Sequence, residues 1–236
     1  MNEWPHSGKL TLTTERSVGR LLGVNIGSTE RPAAILDTPN SPSLEAEERL
    51  LEVYRVAAKL MVEKGFGGTS MGDIAKAMRL TKAGLYHYIT GKQDLLFRIM
   101  LYAMDEVEHC VIEPSRAIAD PEDRLREIMR LHIRGAIEHG LELSILLQEM
   151  THLNSDQQQE VLGRKQAYRS HIQEALRALD RQGRLRELDI RIATKHIMNT
   201  LIGIARWYPN EIDASEEVLI EQTIEFNIAA VLKRPG

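Results

Sequence analysis

Apolar residues recur every three to four positions along most of the chain from about residue 44 onward, a spacing that places them on one face of an α-helix. The first such series ends at the glycine-rich residues 65–68 and consists of Leu50, Val53, Tyr54, Ala57, Leu60 and Met61. The same spacing predicts eight further helices, over about residues 70–78, 81–88, 92–111, 121–139, 141–152, 155–182, 189–207 and 215–232. No segment shows the sustained alternation typical of strands, so the pattern predicts an all-α fold of about nine helices.

The first 43 residues carry no such periodicity. They contain four of the eight prolines and four of the sixteen glycines, a composition typical of flexible segments. Ser43 then precedes a run rich in glutamate, as expected where a helix begins. We therefore predict a flexible extension over residues 1–43, a three-helix N-terminal bundle over residues 44–92 and a larger helical bundle over residues 93–236.

Charge is unevenly distributed along the chain, although the formal net charge is only −4. Residues 44–92 hold eight Lys/Arg and six Asp/Glu, a net of +2, whereas residues 93–236 hold 18 and 24, a net of −6. Between residues 64 and 92, Asp73 is the only acidic residue, against the basic residues Lys64, Lys76, Arg79, Lys82 and Lys92. A local positive field of this kind is what attraction to a phosphate backbone requires.

The cysteine and hydropathy content indicate a cellular compartment. Cys110 is the only cysteine, so neither an intrachain disulfide nor a cysteine-cluster metal site is expected, which suits a reducing cytoplasm. No apolar run approaches the roughly 20 residues that span a bilayer. We predict a cytoplasmic protein with no membrane partner.

The two short helices at residues 70–78 and 81–88 surround a tight corner and carry the candidate chemistry. On the second helix, small residues permit close approach to base edges, and Lys82, Tyr86 and His87 can contact bases or phosphates. Thr69 or Ser70 is expected to cap the first helix, where free backbone N–H groups bind phosphate. The predicted DNA-binding residues are Thr69, Ser70, Thr81, Lys82, Ala83, Gly84, Tyr86, His87 and Lys92.

Residues 69–95 resemble the N-terminal motif of the tetracycline-repressor (TetR) family, approximately T-[ST]-[MVI]-x-x-I-A-x-x-A-G-V-S-K-G-T-L-Y-x-H-F-x-S-K-x-x-L. The matching positions are Thr69, Ser70, Met71, Ile74, Ala75, Lys82, Leu85, Tyr86, Lys92 and Leu95. Arg79 replaces the glycine that the family often has at the corner, so it must tolerate any positive φ there. Ile89 stands where an aromatic residue is usual, and Gly72 is expected to weaken the first short helix.

The resemblance implies a helix-turn-helix domain followed by a C-terminal domain for ligand binding and dimerisation. The expected partners are a palindromic double-stranded operator, a second copy of the chain and a small effector. Residues 203–209 look like a segment of family branches that respond to acyl-CoA thioesters. We therefore expect a non-enzymatic transcriptional repressor that a small apolar or acyl-thioester metabolite releases from DNA, with helix 92–111 connecting the effector pocket to the DNA-binding helices.

Methionine adapts to irregular apolar shapes, which suits a pocket for a flexible ligand, and polar-ended side chains can orient such a ligand. The candidate ligand-binding residues are Met104, Met129, Arg134, Met150, Tyr168, Arg206 and Trp207. No cofactor and no catalytic residue is predicted, because the chain shows neither a nucleophile–base arrangement nor a glycine-rich phosphate loop.

An alternative interpretation is a helical-bundle metalloprotein. Glu106 with His109, and Glu149 with His152, each place a carboxylate and an imidazole three residues apart, as in the di-iron sites of ferritin-like bundles. Both pairs lie about one residue away from the apolar face of their helices, which favours the edge of the core. A third interpretation, a helical scaffold that binds only other proteins, leaves the composition of residues 81–87 unexplained.

Overall fold

The computed structural model describes residues 44–211 and 214–233, apart from the side chains of residues 44, 45, 47, 206 and 209–211. The predicted extension, residues 1–43, lies outside the described residues. The described helices are α1 Leu44–Gly68, α2 Met71–Ala77, α3 Lys82–Tyr86, α4 Lys92–Val107, α5 Pro121–Glu138, α6 Gly140–Gln148, α7 Ser155–Arg181, α8 Ile190–Glu211 and α9 Glu216–Val231. Within these ranges there is no strand, and one isolated antiparallel bridge joins Leu185 and Leu232. The all-α prediction is confirmed.

Helix α4 continues beyond its predicted end near residue 111. A π-helical turn, Glu108–Ile112, and a final α-helical turn, Glu113–Arg116, follow it without a break. Proline is tolerated at position 114 because it lies in the first turn of the second segment, where no intrahelical N–H bond is required. The Ser115 hydroxyl donates to the carbonyl of Val111 at 2.6 Å. Pro114 thus lies just after the change from π-helix to α-helix.

Local side-chain bonds fix where the longer helices begin. The Asp120 carboxylate accepts the backbone N–H of Glu122 at 2.8 Å at the start of α5, and Asn154 forms a capping box with Gln157 at the start of α7. Such caps satisfy backbone donors that have no partner within the helix. The predicted helix over residues 141–152 is shorter in the structure: α6 ends at Gln148, and a 3-10 turn, Met150–His152, follows.

The residues from Tyr54 onward form one compact unit, and the residues up to Val53 are grouped separately. In the described part of that first group, Arg49 pairs with Glu52 at 2.6 Å within α1. In the larger unit, α5 packs against α7, α8 and α9, while α4 packs against α6 and α7. Fully buried side chains such as Ile99, Met100 and Leu125 fill the centre of this arrangement. The division at residues 92/93 stays a prediction.

Arg79, which departs from the family motif, lies at the corner between α2 and α3. Arg79 adopts a left-handed φ of 54°, its N–H donates to the Lys76 carbonyl, and the Leu80 N–H donates to the Ala75 carbonyl at 2.8 Å. This bond pattern is a Schellman motif, whose left-handed position is usually glycine. An arginine there carries a steric cost that glycine would avoid.

Arg79→Gly is therefore expected to raise the free energy of unfolding by about 0.5–1 kcal/mol, the steric relief minus the larger backbone entropy of glycine. Urea denaturation measures the change. Arg79→Ala is the matched control, because it removes the same charge but keeps the Cβ atom, so it should give no such gain. Equal stability of the two variants would contradict this account of the corner.

Candidate DNA-binding site and effector cavity

Helix α3 presents a continuous exposed face. Thr81, Lys82, Ala83 and His87 are exposed, and the Tyr86 side chain is 49% exposed. Gly84, the remaining predicted contact on this helix, is half-buried. On the opposite side Leu85 is fully buried and holds the helix against the molecule. The outward face thus contains small, basic, hydroxylated and aromatic groups, a composition suited to a major groove.

Two caps give the short helices α2 and α3 their fixed starts. Ser70 forms a capping box with Asp73, in which the Ser70 N–H donates to the Asp73 carboxylate at 2.9 Å. Hydrogen bonds from the Ser70 hydroxyl and amide hold the pKa of Asp73 below its usual range. The Thr81 hydroxyl oxygen accepts the Gly84 N–H at 3.0 Å. Helices this short depend on such bonds, because isolated short helices are marginal in water.

Gly72 of α2 lies beside the side chain of Lys82. A Cβ atom at this position would lie 2.9 Å from Cε of Lys82, closer than side-chain carbons normally approach. Because Cε lies near the flexible end of the lysine side chain, a small shift of Lys82 would make room for a Cβ atom at position 72. The expected weakening of α2 by Gly72 stays a prediction.

The structure corrects the prediction for Thr69. Thr69 is only 1% exposed. Its hydroxyl group lies within hydrogen-bond distance of two carbonyls of α1, 3.1 Å from that of Leu60 and 3.0 Å from that of Gly65. A hydroxyl buried between the carbonyls of α1 cannot reach a phosphate. Thr69 closes the end of α1, and Ser70 is the exposed cap.

Lys92 is also placed differently from the prediction of a phosphate contact. Its ammonium group donates to the carbonyls of Phe66 at 2.7 Å and Thr69 at 2.9 Å, and it lies 4.3 Å from the centre of the Phe66 ring. Charge-assisted bonds of this kind are stronger than neutral ones. The ammonium group therefore joins the last turn of α1 to Thr69, the residue that follows α1. The motif gave no indication of this contact.

A cavity of about 320 Å³ lies among helices α4 to α8. Its apolar wall includes Met104, Val107, Leu146, Met198 and Ile202. Met104 and Tyr168 are the two predicted ligand-binding residues that line it. Its volume lies at the lower end of the range of small-molecule sites.

The other predicted ligand-binding residues lie elsewhere. Met129 is fully buried in the core, and Met150 lies in the 3-10 turn after α6. Arg134 lines a smaller cavity of about 170 Å³ and lies 3.8 Å from Glu216. Trp207 lies beside Gly203 on α8: a Cβ atom built on Gly203 would be 3.5 Å from the Trp207 Nε1 atom. The side chain of Arg206 lies outside the described residues.

His132 and Tyr168 form a buried polar pair in the cavity wall. The Tyr168 hydroxyl lies 2.9 Å from His132 Nδ1, and the two rings are stacked with their centroids 5.4 Å apart. Burial lowers the pKa of His132 to about 4 and raises the pKa of Tyr168, so both rings are neutral near pH 7. Among the described atoms, His132 Nε2 has no hydrogen-bond partner. His132 was not among the residues predicted from the sequence, although it follows the buried Met129 by three positions on α5.

Cationic side chains border the same cavity. Lys165, Arg169 and Lys195 belong to its lining, which contains no carboxylate in the part of the chain that the structure describes. The Lys165 ammonium donates to the Leu146 carbonyl at 2.8 Å, and burial, with a smaller effect of Arg169, lowers the Lys165 pKa. The cavity therefore combines an apolar wall, a neutral polar pair and a positive edge.

The two Glu/His pairs of the metal alternative do not form a metal site in the described residues. Glu149 and His152 contact each other as the alternative expected, whereas His109 and Glu106 contact other residues. His109 lies 3.1 Å from Glu113, Glu106 lies 3.7 Å from His139, and the Glu149–His152 distance is 3.3 Å. Across residues 44–211 and 214–233, no group of three or more His, Cys, Asp or Glu side chains is placed to hold a metal ion. None of the described helices combines the length and the apolar character needed to cross a membrane.

Helices α2 and α3, with the tight corner at Arg79 between them and the exposed face of α3, form a helix-turn-helix. Together with the helical domain that contains the cavity, they define the class of helix-turn-helix regulators. Residues 53–99 match the family described as bacterial regulatory proteins, tetR family, and residues 119–231 match the tetracyclin repressor-like C-terminal domain. The chain belongs to the TetR family of transcriptional regulators. The family membership expected from residues 69–95 is confirmed.

Individual relatives agree with this assignment. The HTH-type transcriptional regulator AcrR of Shigella flexneri is 31% identical over 90 residues, which are 38% of this chain and 41% of that protein. The chain thus spans about two fifths of the length of this curated relative.

Solved structures match over more of their length. The crystal structure of AibR in complex with isovaleryl coenzyme A and operator DNA is 32% identical, with a TM-score of 0.70, and the match covers 75% of this chain and 97% of that one. The TetR family transcriptional regulator PfmR from Thermus thermophilus is 30% identical, with a TM-score of 0.68 and coverages of 77% and 99%.

Proposed function

We propose that this chain is a repressor that inserts α3 into the major groove of a palindromic operator and leaves the operator when a small metabolite binds. The exposed face of α3 over the buried Leu85 carries the proposal. The proposed DNA-binding residues are now Ser70, Thr81, Lys82, Ala83, Gly84, Tyr86 and His87. Residues 44–92 would serve as the DNA-binding domain and residues 93–236 as the effector and dimerisation domain.

Two copies of the chain would place their two α3 helices about 34–36 Å apart, the spacing of successive major grooves on one side of DNA. Support for a homodimer comes from the last two helices. Ile192 on α8 is 57% exposed and Phe226 on α9 is 71% exposed, so each helix has a large apolar side chain that the described part of the chain leaves uncovered. Such side chains are suited to a symmetric interface between copies.

The proposed effector has an apolar body and an anionic end. The apolar wall of the larger cavity suits the body, and Lys165, Arg169 and Lys195 suit phosphate or carboxylate groups. An acyl-CoA thioester has this combination, and AibR binds one, isovaleryl coenzyme A. An effector that binds more tightly when the reading helices are wrongly spaced must lower operator affinity by the same factor.

This function assigns no catalytic step to the chain. The Glu/His pairs and the Ser115–His171 contact of 2.7 Å are then parts of the helix packing. A repressor of chromosomal genes would act in the bacterial cytoplasm.

The proposal is tested in two steps with the full-length chain. Fragments selected from random DNA give the operator, and its affinity is measured with and without isovaleryl-CoA. Ala205 lines the cavity and is half-buried, so Ala205→Phe is expected to reduce the effector response at least about tenfold while operator affinity without effector stays within about twofold.

Ala167→Phe is the matched control, because Ala167 is an exposed residue of α7 that does not line the cavity. It should leave both affinities unchanged. A chain that selects no DNA sequence would overturn the repressor assignment. A full effector response in Ala205→Phe would show that the effector binds somewhere other than this cavity.

A further inference from the structure

Three side chains from separate segments form a stack between α1, α4 and the turn after α6. The rings of Phe66 and His152 are stacked, with centroids 4.5 Å apart and an interplanar angle of 25°. The Lys92 ammonium lies 4.3 Å from the centre of the same Phe66 ring. We call Lys92, Phe66 and His152 the coupling stack. Phe66 is its central member, because both other side chains contact this ring.

The coupling stack is attached to the start of α4 a second time. The Gln93 side-chain amide donates to the His152 carbonyl at 2.7 Å, so consecutive residues of α4 contact both Phe66 and His152. The His152 imidazole also lies 3.3 Å from the Glu149 carboxylate within its own turn. The position of His152 is therefore fixed through its backbone and through its ring.

On one side, the coupling stack leads to the larger cavity. Leu143, Leu146 and Leu147 of α6 line this cavity, and α6 runs into the 3-10 turn Met150–His152 after one intervening residue. The cavity wall formed by α6 is thus covalently continuous with the turn that carries His152. Packed elements shift as units because interiors are densely packed.

On the other side, the coupling stack leads to the DNA-binding helices. Lys92 holds the carbonyls of Phe66 and Thr69, and Thr69 immediately precedes Ser70, the cap of α2. Helix α2 then supports α3 through the corner at Arg79. Direct contacts therefore run from the Phe66 ring through Lys92 and Thr69 to the start of α2.

We propose that the coupling stack is the positioning device through which the cavity controls the DNA-binding helices, and that His152 is its positioning residue on the cavity side. The inference rests on the proposed function and identifies how that function is regulated. It adds a second connection to the one expected along α4. In this connection, α6 moves His152, His152 moves Phe66, and Phe66 with Lys92 moves the start of α2.

The test uses hydrogen–deuterium exchange of the full-length chain and needs neither operator nor effector. Leu146→Ala loosens the cavity wall and stands in for a ligand. In the wild-type background it is expected to accelerate exchange of the α2–α3 amides by about threefold or more, through local opening. In the His152→Ala background the same change should add no acceleration, because contacts that act in series are non-additive.

Two further variants decide between coupling and simple destabilisation. His152→Phe keeps a ring on Phe66, so it should restore the response to Leu146→Ala. His196→Ala removes an exposed histidine of α8 and should leave the response intact. Only amides whose exchange is insensitive to dilute urea are compared, which excludes global unfolding. Leu147→Ala, a half-exposed cavity residue, replaces Leu146→Ala if that variant does not fold.

Equal acceleration in the wild-type and His152→Ala backgrounds would overturn the coupling stack. So would a loss of the response in His152→Phe, because the stacking would then be irrelevant. Neither result affects the operator and isovaleryl-CoA measurements above, so failure of this inference and failure of the proposed function are distinguishable.

Discussion

Lowering the pH from about 7.5 to about 5 is expected to remove about 2 kcal/mol of folding stability through His132 alone. The folded-state pKa of about 4 lies below the ordinary value of 6.5, because burial disfavours the charged ring. Between these two pKa values the unfolded chain binds more protons than the folded chain. The contribution is therefore fully present above pH 6.5 and is lost progressively as the pH falls towards 4.

Urea denaturation at the two pH values measures this loss, and His132→Phe isolates it. Phenylalanine keeps an aromatic ring beside Tyr168 but cannot be protonated, so the variant should lose about 2 kcal/mol less than the wild type on acidification. Other groups, including His171 with its lowered pKa, titrate in both proteins and cancel in the difference. Identical pH dependence of the two proteins would show that His132 is not held neutral by burial.

The parts of the fold that depend on nearby residues were predictable. Apolar spacing predicted the helices, and the Ser70 hydroxyl begins α2, where a cap was expected at Thr69 or Ser70. The positive φ required at Arg79 was also expected from the motif. Each of these features involves bonds between residues at most five positions apart, so the local sequence contains the physical cause.

Long-range contacts explain what the sequence did not predict. Lys92 was expected on DNA, but its ammonium contacts Phe66, which is 26 positions away in the chain. Thr69 was expected at the surface, but its hydroxyl is buried within hydrogen-bond distance of the Leu60 and Gly65 carbonyls. A motif specifies the residue type at a position, whereas the partner of a lysine or a threonine depends on how the helices pack.

The cavity shows the same limit. Met104 and Met129 both occur at helical spacing in apolar faces, yet Met104 lines the cavity and Met129 fills the core. Helical periodicity identifies the buried face but not the gaps between buried faces. His152 was considered only as a metal ligand beside Glu149, and its stacking on Phe66 became visible through the packing of α1 against the turn after α6.

The double variant Lys82→Ala with Tyr86→Ala is expected to weaken operator binding by roughly 100-fold or more, because each base or phosphate contact contributes about 1–3 kcal/mol. Both side chains are exposed on α3, so their loss should change the free energy of unfolding by less than about 0.5 kcal/mol. Titration of the selected operator at several salt concentrations measures affinity, and the salt slope should fall by about one unit if Lys82 contacts a phosphate.

Lys59→Ala is the control, because Lys59 is an exposed lysine of α1 that lies 4.0 Å from Glu63 and away from α3 in the chain. Lys59→Ala is compared with the single variant Lys82→Ala, because each removes one positive charge. Lys59→Ala should leave operator affinity nearly unchanged. If the double variant bound the operator as tightly as the wild type, α3 would not be the reading helix. If both lysine variants weakened binding equally, the effect would come from net charge rather than from the face of α3, since overall charge acts at long range whereas recognition requires contact.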